Sequence, residues 1–282
     1  MNQVIYVESL TKKYGRRTVV DNLGFKINQG QIVGLLGPNG AGKTTTMRML
    51  MGLTRPTAGN VKIFGYDIQK DLKKIQSFIG VAFERPNLFE NLTGFQNLAI
   101  FCKLYHQPLS TIQPLLERMG LADRAAEPVK VYSKGMRQRI LILRALIHQP
   151  RLLFLDEPAS GLDPVSSRII WDYLQEQKQT GMTIILTSHD MEEVDVLCDT
   201  IGFINHGRMI TFSDPRILKQ QYGQPLLKVS YRENNGEISE TSFPPTPENL
   251  EKLALLYQKQ SIISVHSQEA TLGEIFRQLN NQ

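Results

Sequence analysis

One glycine-rich segment constrains this chain more than any other feature: Gly37-Pro38-Asn39-Gly40-Ala41-Gly42-Lys43-Thr44. It fits the pattern G-x-x-x-x-G-K-[ST], follows a compact apolar run at residues 31–36, and opens a segment with helical spacing at residues 43–51. Glycines let successive backbone N–H groups curve around phosphate oxygens without Cβ clashes, and the helix N-terminus adds partial positive charge. The sequence therefore predicts a strand, a phosphate-binding loop and a helix, in that order.

The side chains at the end of this loop have expected roles. Lys43 would reach the β- and γ-phosphates, the Thr44 hydroxyl would bind Mg²⁺, and Thr45 belongs with them to the nucleotide-binding set. A chance match to the pattern is the alternative. The strand–loop–helix context weighs against it.

The remaining pattern predicts an α/β fold. Apolar runs at residues 152–155 and 183–187 are each followed by polar residues, and a helical stretch at residues 165–179 separates them. This alternation is typical of a parallel sheet with helical crossovers, in which ligands bind beyond the carboxyl ends of the strands. Further short strands are expected at residues 4–7, 18–23, 25–27, 61–64 and 79–83, and helical spacing dominates residues 97–148.

The apolar run that begins at Leu152 ends in two adjacent acids, Asp156 and Glu157. Taken alone, this pair would fit a capping aspartate beside a solvated glutamate equally well. After a phosphate loop, a hydrolytic role is favoured. Asp156 would hold Mg²⁺ through water, and Glu157 would orient the attacking water and accept its proton.

Composition changes after residue 215, which divides the chain into a domain of residues 1–215 and an accessory domain of residues 216–282. In the second domain, residues 226–231 and 237–243 predict a hairpin around Asn234-Asn235-Gly236. A helix to about residue 260, a strand at residues 262–266 and a helix at residues 271–279 complete a small α+β domain.

Composition argues against several classes of protein. The net charge of +5 is spread along the chain without a dense basic block, so no nucleic-acid partner is expected. Cys102 and Cys198 have no partner at metal-ligand spacing and are expected to be free thiols. We expect no signal peptide, and no apolar run approaches the roughly 20 residues needed to span a bilayer.

Several further motifs arrive in an order that resembles the ATP-binding subunits of ABC transporters. Tyr132-Ser133-Lys134-Gly135-Met136-Arg137-Gln138-Arg139 looks like the family signature, and Ser160-Gly161-Leu162-Asp163 looks like its D-loop. His189 matches the switch histidine that senses the γ-phosphate, and Tyr14 lies where the family stacks an aromatic ring on adenine. Without this context, Tyr14 would be read as a packing or surface residue and His189 as a strand-end histidine.

The resemblance, over about residues 4–215, implies a P-loop fold with a mostly parallel core sheet, an antiparallel N-terminal subdomain and a helical subdomain near residues 85–148. It implies a head-to-tail homodimer, in which ATP lies between the loop of one chain and Ser133 and Gly135 of the other, with Asp163 nearby. The family also implies a location on the cytoplasmic face of the cell membrane, beside a separate permease. The segment around residues 88–105, with Leu88, Phe89 and Phe95, is the predicted permease contact.

Two positions depart from the common family pattern. Lys134 and Met136 replace a glycine and a glutamine in the signature, and Glu84 stands where the family usually has a glutamine that touches Mg²⁺. Both changes resemble an export subgroup for drugs, antibiotics or ions, and Glu84 is still expected to reach the metal.

Two other functions were weighed. ABC ATPases that act on ribosomes or DNA usually carry two cassettes or long coiled-coil insertions, neither of which is present here. A binding module without turnover conflicts with the intact Lys43, Asp156, Glu157 and His189.

Overall fold

The computed structural model describes residues 3–84, 87–223, 226–233, 236–258, 261–268 and 271–280 of the chain. It divides into two compact units, Met1–Asp214 and Pro215–Gln282. In the described residues, no helix combines the length and the apolar character that crossing a membrane requires.

The first unit contains an antiparallel sheet of order β2-β1-β4-β5. Its strands are β1 (Gln3–Tyr14), β2 (Arg17–Asn28), β4 (Ala58–Ile63) and β5 (Tyr66–Asp67). The two short strands expected on either side of Gly24 form one continuous strand, β2. The reason is that β1 pairs with it along its whole length, for example Val7 with Phe25 and Leu10 with Leu23. The prediction of a break at Gly24 was wrong.

The second sheet has six strands in the order β10-β9-β3-β8-β7-β6. They are β3 (Ile32–Leu36), β6 (Ile79–Ala82), β7 (Leu152–Asp156), β8 (Thr183–Thr187), β9 (Thr200–Asn205) and β10 (Arg208–Ser213). Neighbours from β9 to β6 pair in parallel, and β10 adds an antiparallel edge. All residues of β3 and β8 are buried, as expected for a parallel sheet covered on both faces.

Helices connect these strands and form the helical subdomain. They are α1 (Lys43–Leu50), α2 (Leu72–Gln76), α3 (Gly94–Leu104), α4 (Ile112–Arg118), α5 (Lys134–Leu146), α6 (Pro164–Gln179) and α7 (Met191–Leu197). Short 3₁₀ turns at Leu109–Thr111, Ala122–Arg124 and Val129–Val131 separate α3, α4 and α5 within the region of helical spacing. Residues 85–86, at the predicted start of this subdomain, lie outside the described residues.

The second unit contains a sheet of order β12-β11-β13. Its elements are α8 (Pro215–Tyr222), β11 (Leu226–Arg232), β12 (Ile238–Phe243), α9 (Pro247–Gln258), β13 (Ile262–Gln268) and α10 (Leu272–Asn280). The expected hairpin is present as antiparallel pairing of β11 with β12. Its expected turn residues Asn234 and Asn235 and the expected helix end at residues 259–260 lie outside the described residues.

Candidate functional site

A cavity of about 720 Å³ lies where β3, β6, β7 and β8 end, a volume within the usual range for ligand sites. It brings together the phosphate loop from Gly37 to Thr45 with side chains from three other strand ends and from the antiparallel sheet. The residues outside the loop are Tyr14, Arg17, Val19, Glu84, Asp156, Glu157, Ser160 and His189. Of these, Arg17 and Val19 were not expected in the site, and Ser160 was named from the sequence only as the first residue of the D-loop.

The phosphate loop depends on glycine at two positions. Gly37 has φ +146°, and a Cβ there would lie 2.0 Å from the backbone oxygen of Ile204. Gly42 has φ +109°, and its Cβ would lie 2.7 Å from the backbone oxygen of Val19. Any side chain at either position would therefore displace the loop from β2 or β9, whereas Gly40 faces open space.

Lys43 lies in the first turn of α1 and is only 7% exposed. Its Nζ donates to the backbone oxygens of Gly37, at 2.6 Å, and Pro38, at 3.2 Å. Burial lowers the pKa of this amine, and the nearby carboxylates of Glu157 and Asp156 oppose that shift. The loop thus carries an amine suited to a polyanionic ligand.

Thr187, at the end of β8, fixes both acids that follow β7. Its Oγ1 donates to Asp156 Oδ1 at 2.6 Å, and the backbone N–H of Glu157 donates to the same hydroxyl at 3.1 Å. This role was missed from the sequence. The available signal was a threonine that ends an apolar strand immediately before Ser188-His189.

Glu157 and His189 form a direct contact. Glu157 Oε2 lies 2.7 Å from His189 Nδ1, so the ring nitrogen donates when Glu157 is ionised. Glu157 has φ 53°, a backbone conformation that costs a non-glycine residue roughly 1–2 kcal/mol. Its side chain is 15% exposed and that of His189 is 63% exposed. The pair therefore places a carboxylate on the cavity wall with a histidine beside it.

Ser160, the first residue of the D-loop, lines the cavity, whereas Asp163 of the D-loop and the signature residues Ser133 and Gly135 lie elsewhere on this chain. Ser133 is the N-cap of α5, where its hydroxyl accepts from Met136 N at 3.2 Å, and Asp163 is the N-cap of α6, where it accepts from Ser166 N at 2.9 Å. Gly135 packs so closely on α6 that a Cβ would lie 2.5 Å from Ser166 Oγ. Ser133, Gly135 and Asp163 do not line the cavity.

The donor set fits Mg²⁺ bound together with a nucleotide. Mg²⁺ usually takes one or two protein oxygens and completes its shell with phosphates and water. The hydroxyl of Thr44 and the carboxylates of Asp156 and Glu84 reach one cavity, and no cluster of three or more His, Cys, Asp or Glu residues suited to a metal occurs in the described part of the chain.

The doubly covered parallel sheet, the phosphate loop and the acids at the next strand end define a P-loop nucleotide hydrolase. A family model described as ABC transporter matches residues 20–160. The chain is also 38% identical over 282 residues, 97% of its length and 92% of the relative's, to the fluoroquinolones export ATP-binding protein of Mycobacterium tuberculosis (strain CDC 1551 / Oshkosh). The chain therefore belongs to the ABC transporter family as an ATP-binding subunit, and ATP hydrolysis is the activity of this family.

Two other comparisons agree. The chain is 43% identical to the Nod factor export ATP-binding protein I of Ralstonia nicotianae, over 80% of this chain and 72% of that one. A solved structure of an ATP binding subunit of an ABC transporter superposes with a TM-score of 0.70 at 29% identity, covering 78% of this chain and 93% of the other. The predicted family and fold class are confirmed.

Proposed function

We propose that this chain hydrolyses Mg²⁺-bound ATP to drive a separate transmembrane permease in the direction of export. The assignment of ATP hydrolysis rests on one observation: the phosphate loop, Asp156, Glu157 and His189 all line the same cavity. Export is supported by the names of the relatives, which are export ATP-binding proteins. Acting with a permease, the chain would work at the cytoplasmic face of the membrane.

Each group in the cavity has a proposed task. Lys43 and the loop N–H groups bind the β- and γ-phosphates, and Tyr14, which is 53% exposed in the cavity wall, stacks on adenine. Thr44, Asp156 and Glu84 would hold Mg²⁺, which supplies positive charge to the phosphate oxygens when bound. Glu157 orients the attacking water and takes its proton, and the Glu157–His189 contact holds both side chains near the γ-phosphate position.

A head-to-tail dimer would complete the site. Ser133 and Gly135 lie outside this chain's own cavity, so they would meet the nucleotide of a second copy. The Ser133 hydroxyl accepts one hydrogen bond as the N-cap of α5 and still has its own proton to donate to a γ-phosphate. The α5 N-terminus would add partial positive charge at that phosphate, so closure of the dimer would depend on it.

A groove beside the cavity is suited to the permease. It has a volume of about 800 Å³ and combines apolar side chains from β6, α3 and the segment just after α1 with polar ones that include Asn87, Arg144 and His148. Leu53 and Leu104, 56% and 64% exposed, lie in its wall. The three contacts expected from the sequence do not line this groove: Phe89 is 51% exposed, and Leu88 and Phe95 are half-buried.

Replacing Glu157 by glutamine tests the hydrolytic assignment. We expect kcat for ATP to fall by at least ~100-fold, because a general base is lost, while ATP affinity stays within about threefold of the wild-type value. Phosphate release measures the first quantity and calorimetry the second.

The matched control is Glu192→Gln, which removes an exposed acid from α7. It should keep the wild-type kcat. Near-normal turnover in Glu157→Gln would place the base on another residue and refute the assignment.

A further inference from the structure

A third carboxyl group lies near the hydrolytic site, outside the residues already assigned. Glu193, in the first turn of α7, is only 1% exposed. Carboxylates are rarely buried this deeply unless hydrogen bonds or charges compensate for the loss of water. The partners of Glu193 therefore indicate what it holds in place.

Those partners come from two functional segments. Trp171 Nε1, on α6, donates to Glu193 Oε1 at 3.2 Å. The Ser188 hydroxyl, which lies 3.5 Å from Asp190 O, is also close enough to this carboxyl group to lower the pKa of Glu193. Ser188 directly precedes His189, and α6 begins at the Asp163 cap. One buried carboxyl group thus links the segment that carries His189 to the helix that follows the D-loop.

The His189 segment is anchored at its buried residues. The side chain of His189 is 63% exposed, whereas Ser188 is fully buried. Asp190 N donates to Ser188 Oγ at 3.0 Å, so the backbone after His189 is tied to the same hydroxyl. Ser188 and Glu193 therefore form the buried end of the segment, and the Glu157 contact forms its exposed end.

We propose that Glu193 is a positioning residue for ATP hydrolysis. It keeps His189 in contact with Glu157 and links the His189 segment to α6. The proposal rests on the roles given above to Glu157 and His189. It requires no contact between Glu193 and the nucleotide. Loss of Glu193 should therefore lower turnover without an equal loss of ATP affinity.

The electrostatic surroundings add a pH dependence. The pKa of Glu193 is raised to about 7: burial is the largest cause, the negative charges of Asp190 and Glu157 add to the rise, and the side chains of Ser188 and Trp171 oppose it. Cys198, at the end of α7, faces the same carboxyl group, but burial raises the pKa of this thiol well above its ordinary value and keeps it neutral. Above pH 7 the ionised carboxylate accepts from both donors, so positioning should strengthen as the pH rises through this value.

Three variants test the proposal by steady-state kinetics at pH 8. Glu193→Ala should lower kcat by ~10- to 100-fold with KM for ATP within about threefold, because small displacements of catalytic groups have effects of this size. Glu193→Gln keeps the size of the side chain and an acceptor but stays neutral, so its kcat should lie between those of Glu193→Ala and the wild type. Glu192→Gln removes the exposed neighbouring acid and should match the wild type.

Fluorescence gives a readout that does not depend on activity. Trp171 is the only tryptophan of the chain, so its emission reports on the Glu193 contact. The wild-type emission should titrate with a midpoint near pH 7, and kcat should rise over the same interval. Both transitions should be absent from Glu193→Gln.

A folded Glu193→Ala protein whose kcat stays within about twofold of wild type, or falls in step with its ATP affinity, would overturn the proposal. If Glu193→Ala does not fold, the test rests on Glu193→Gln. In that variant, retention of the pH transitions in both Trp171 emission and kcat would overturn the proposal. A wild-type protein without ATPase activity would instead refute the proposed function. The Trp171 fluorescence titration would still test the Glu193 contact, because it does not require turnover.

Discussion

At the residue scale, Asp156 and Glu157 are adjacent but differ in environment. Asp156 is the last residue of β7 and accepts from Thr187 Oγ1, which fixes its carboxylate at the strand end. Glu157 has φ 53°, which departs from the strand conformation, and its side chain contacts His189. This difference supports separate roles for the two acids, metal binding for Asp156 and activation of water for Glu157.

Lys43→Ala tests the phosphate loop at the same scale. The amine donates to loop oxygens beside the predicted phosphate position, and a hydrogen bond to a charged group contributes about 1.5–3 kcal/mol. We therefore expect ATP affinity, measured by calorimetry, to fall by at least ~10-fold.

Lys62→Ala, which removes an exposed lysine from β4, is the control and should bind ATP as the wild type does. Unchanged affinity in Lys43→Ala would contradict the assignment of the loop.

At the residue scale, motif spacing predicted the identity of most groups in the cavity but not their contacts. The Glu157–His189 pair depends on the parallel pairing of β7 with β8, which brings together residues 32 positions apart. Thr187 was given no role from the sequence, and Ser160 was named only as the first residue of the D-loop. Their roles come from the strand register and from the turn after β7. The individual site roles stay predictions until variants are measured.

At the scale of elements, the phosphate loop is held by close backbone packing. Gly37→Ala would place a Cβ 2.0 Å from the Ile204 oxygen of β9, and at positive φ. We expect the free energy of unfolding to fall by about 1–3 kcal/mol more than in Gly40→Ala, because overpacking adds to the backbone strain that both variants share. Thermal unfolding without nucleotide measures the difference.

Gly40→Ala is the matched comparison, because its φ is +81° and nothing lies within 4 Å of the added Cβ. Equal loss of stability in the two variants would show that packing against β9 does not hold the loop.

The sequence predicted elements well where apolar runs were compact and less well elsewhere. The predicted helix at residues 165–179 matches α6 (Pro164–Gln179), and residues 183–187 match β8. Predicted strand 4–7 extends to Tyr14 in β1, because pairing with β2 carries the strand past a bulge and past Lys12-Lys13. Strands β5, β9 and β10 and helices α2, α7 and α8 were not predicted. Five of these six elements have at most seven residues, and β10 is stabilised by pairing with β9 at the sheet edge.

At the scale of the whole molecule, the signature residues Ser133 and Gly135 lie outside the chain's own cavity, and the proposed head-to-tail dimer would bring them to the nucleotide of a second copy. Glu157→Gln should accumulate a dimer when ATP is added, because ATP binds but is not turned over. Static light scattering should then report twice the monomer mass. The double variant Lys43→Ala/Glu157→Gln should remain monomeric. A Glu157→Gln protein that stays monomeric at saturating ATP would refute the head-to-tail model.

The boundary between the two compact units falls within one residue of the composition change near residue 215. The role of the second unit was not predicted, because its residues match no motif with a known chemistry. Among the described residues of its small sheet, Lys228 forms an ion pair with Glu240 at 2.7 Å, and Ser230 Oγ donates to the same carboxylate at 3.2 Å.

The central claim is that this ATPase drives a separate permease. It is tested most directly by recovering tagged Glu157→Gln protein, with and without ATP, from detergent-solubilised membranes of the cells that make it, followed by mass spectrometry. Leu104→Arg in the groove should reduce recovery of the partner, whereas Ile210→Arg, on β10 outside the groove, should not. The account predicts a multi-span membrane protein in stoichiometric amount. Recovery of ribosomal or DNA-repair proteins, or of no partner, would contradict it.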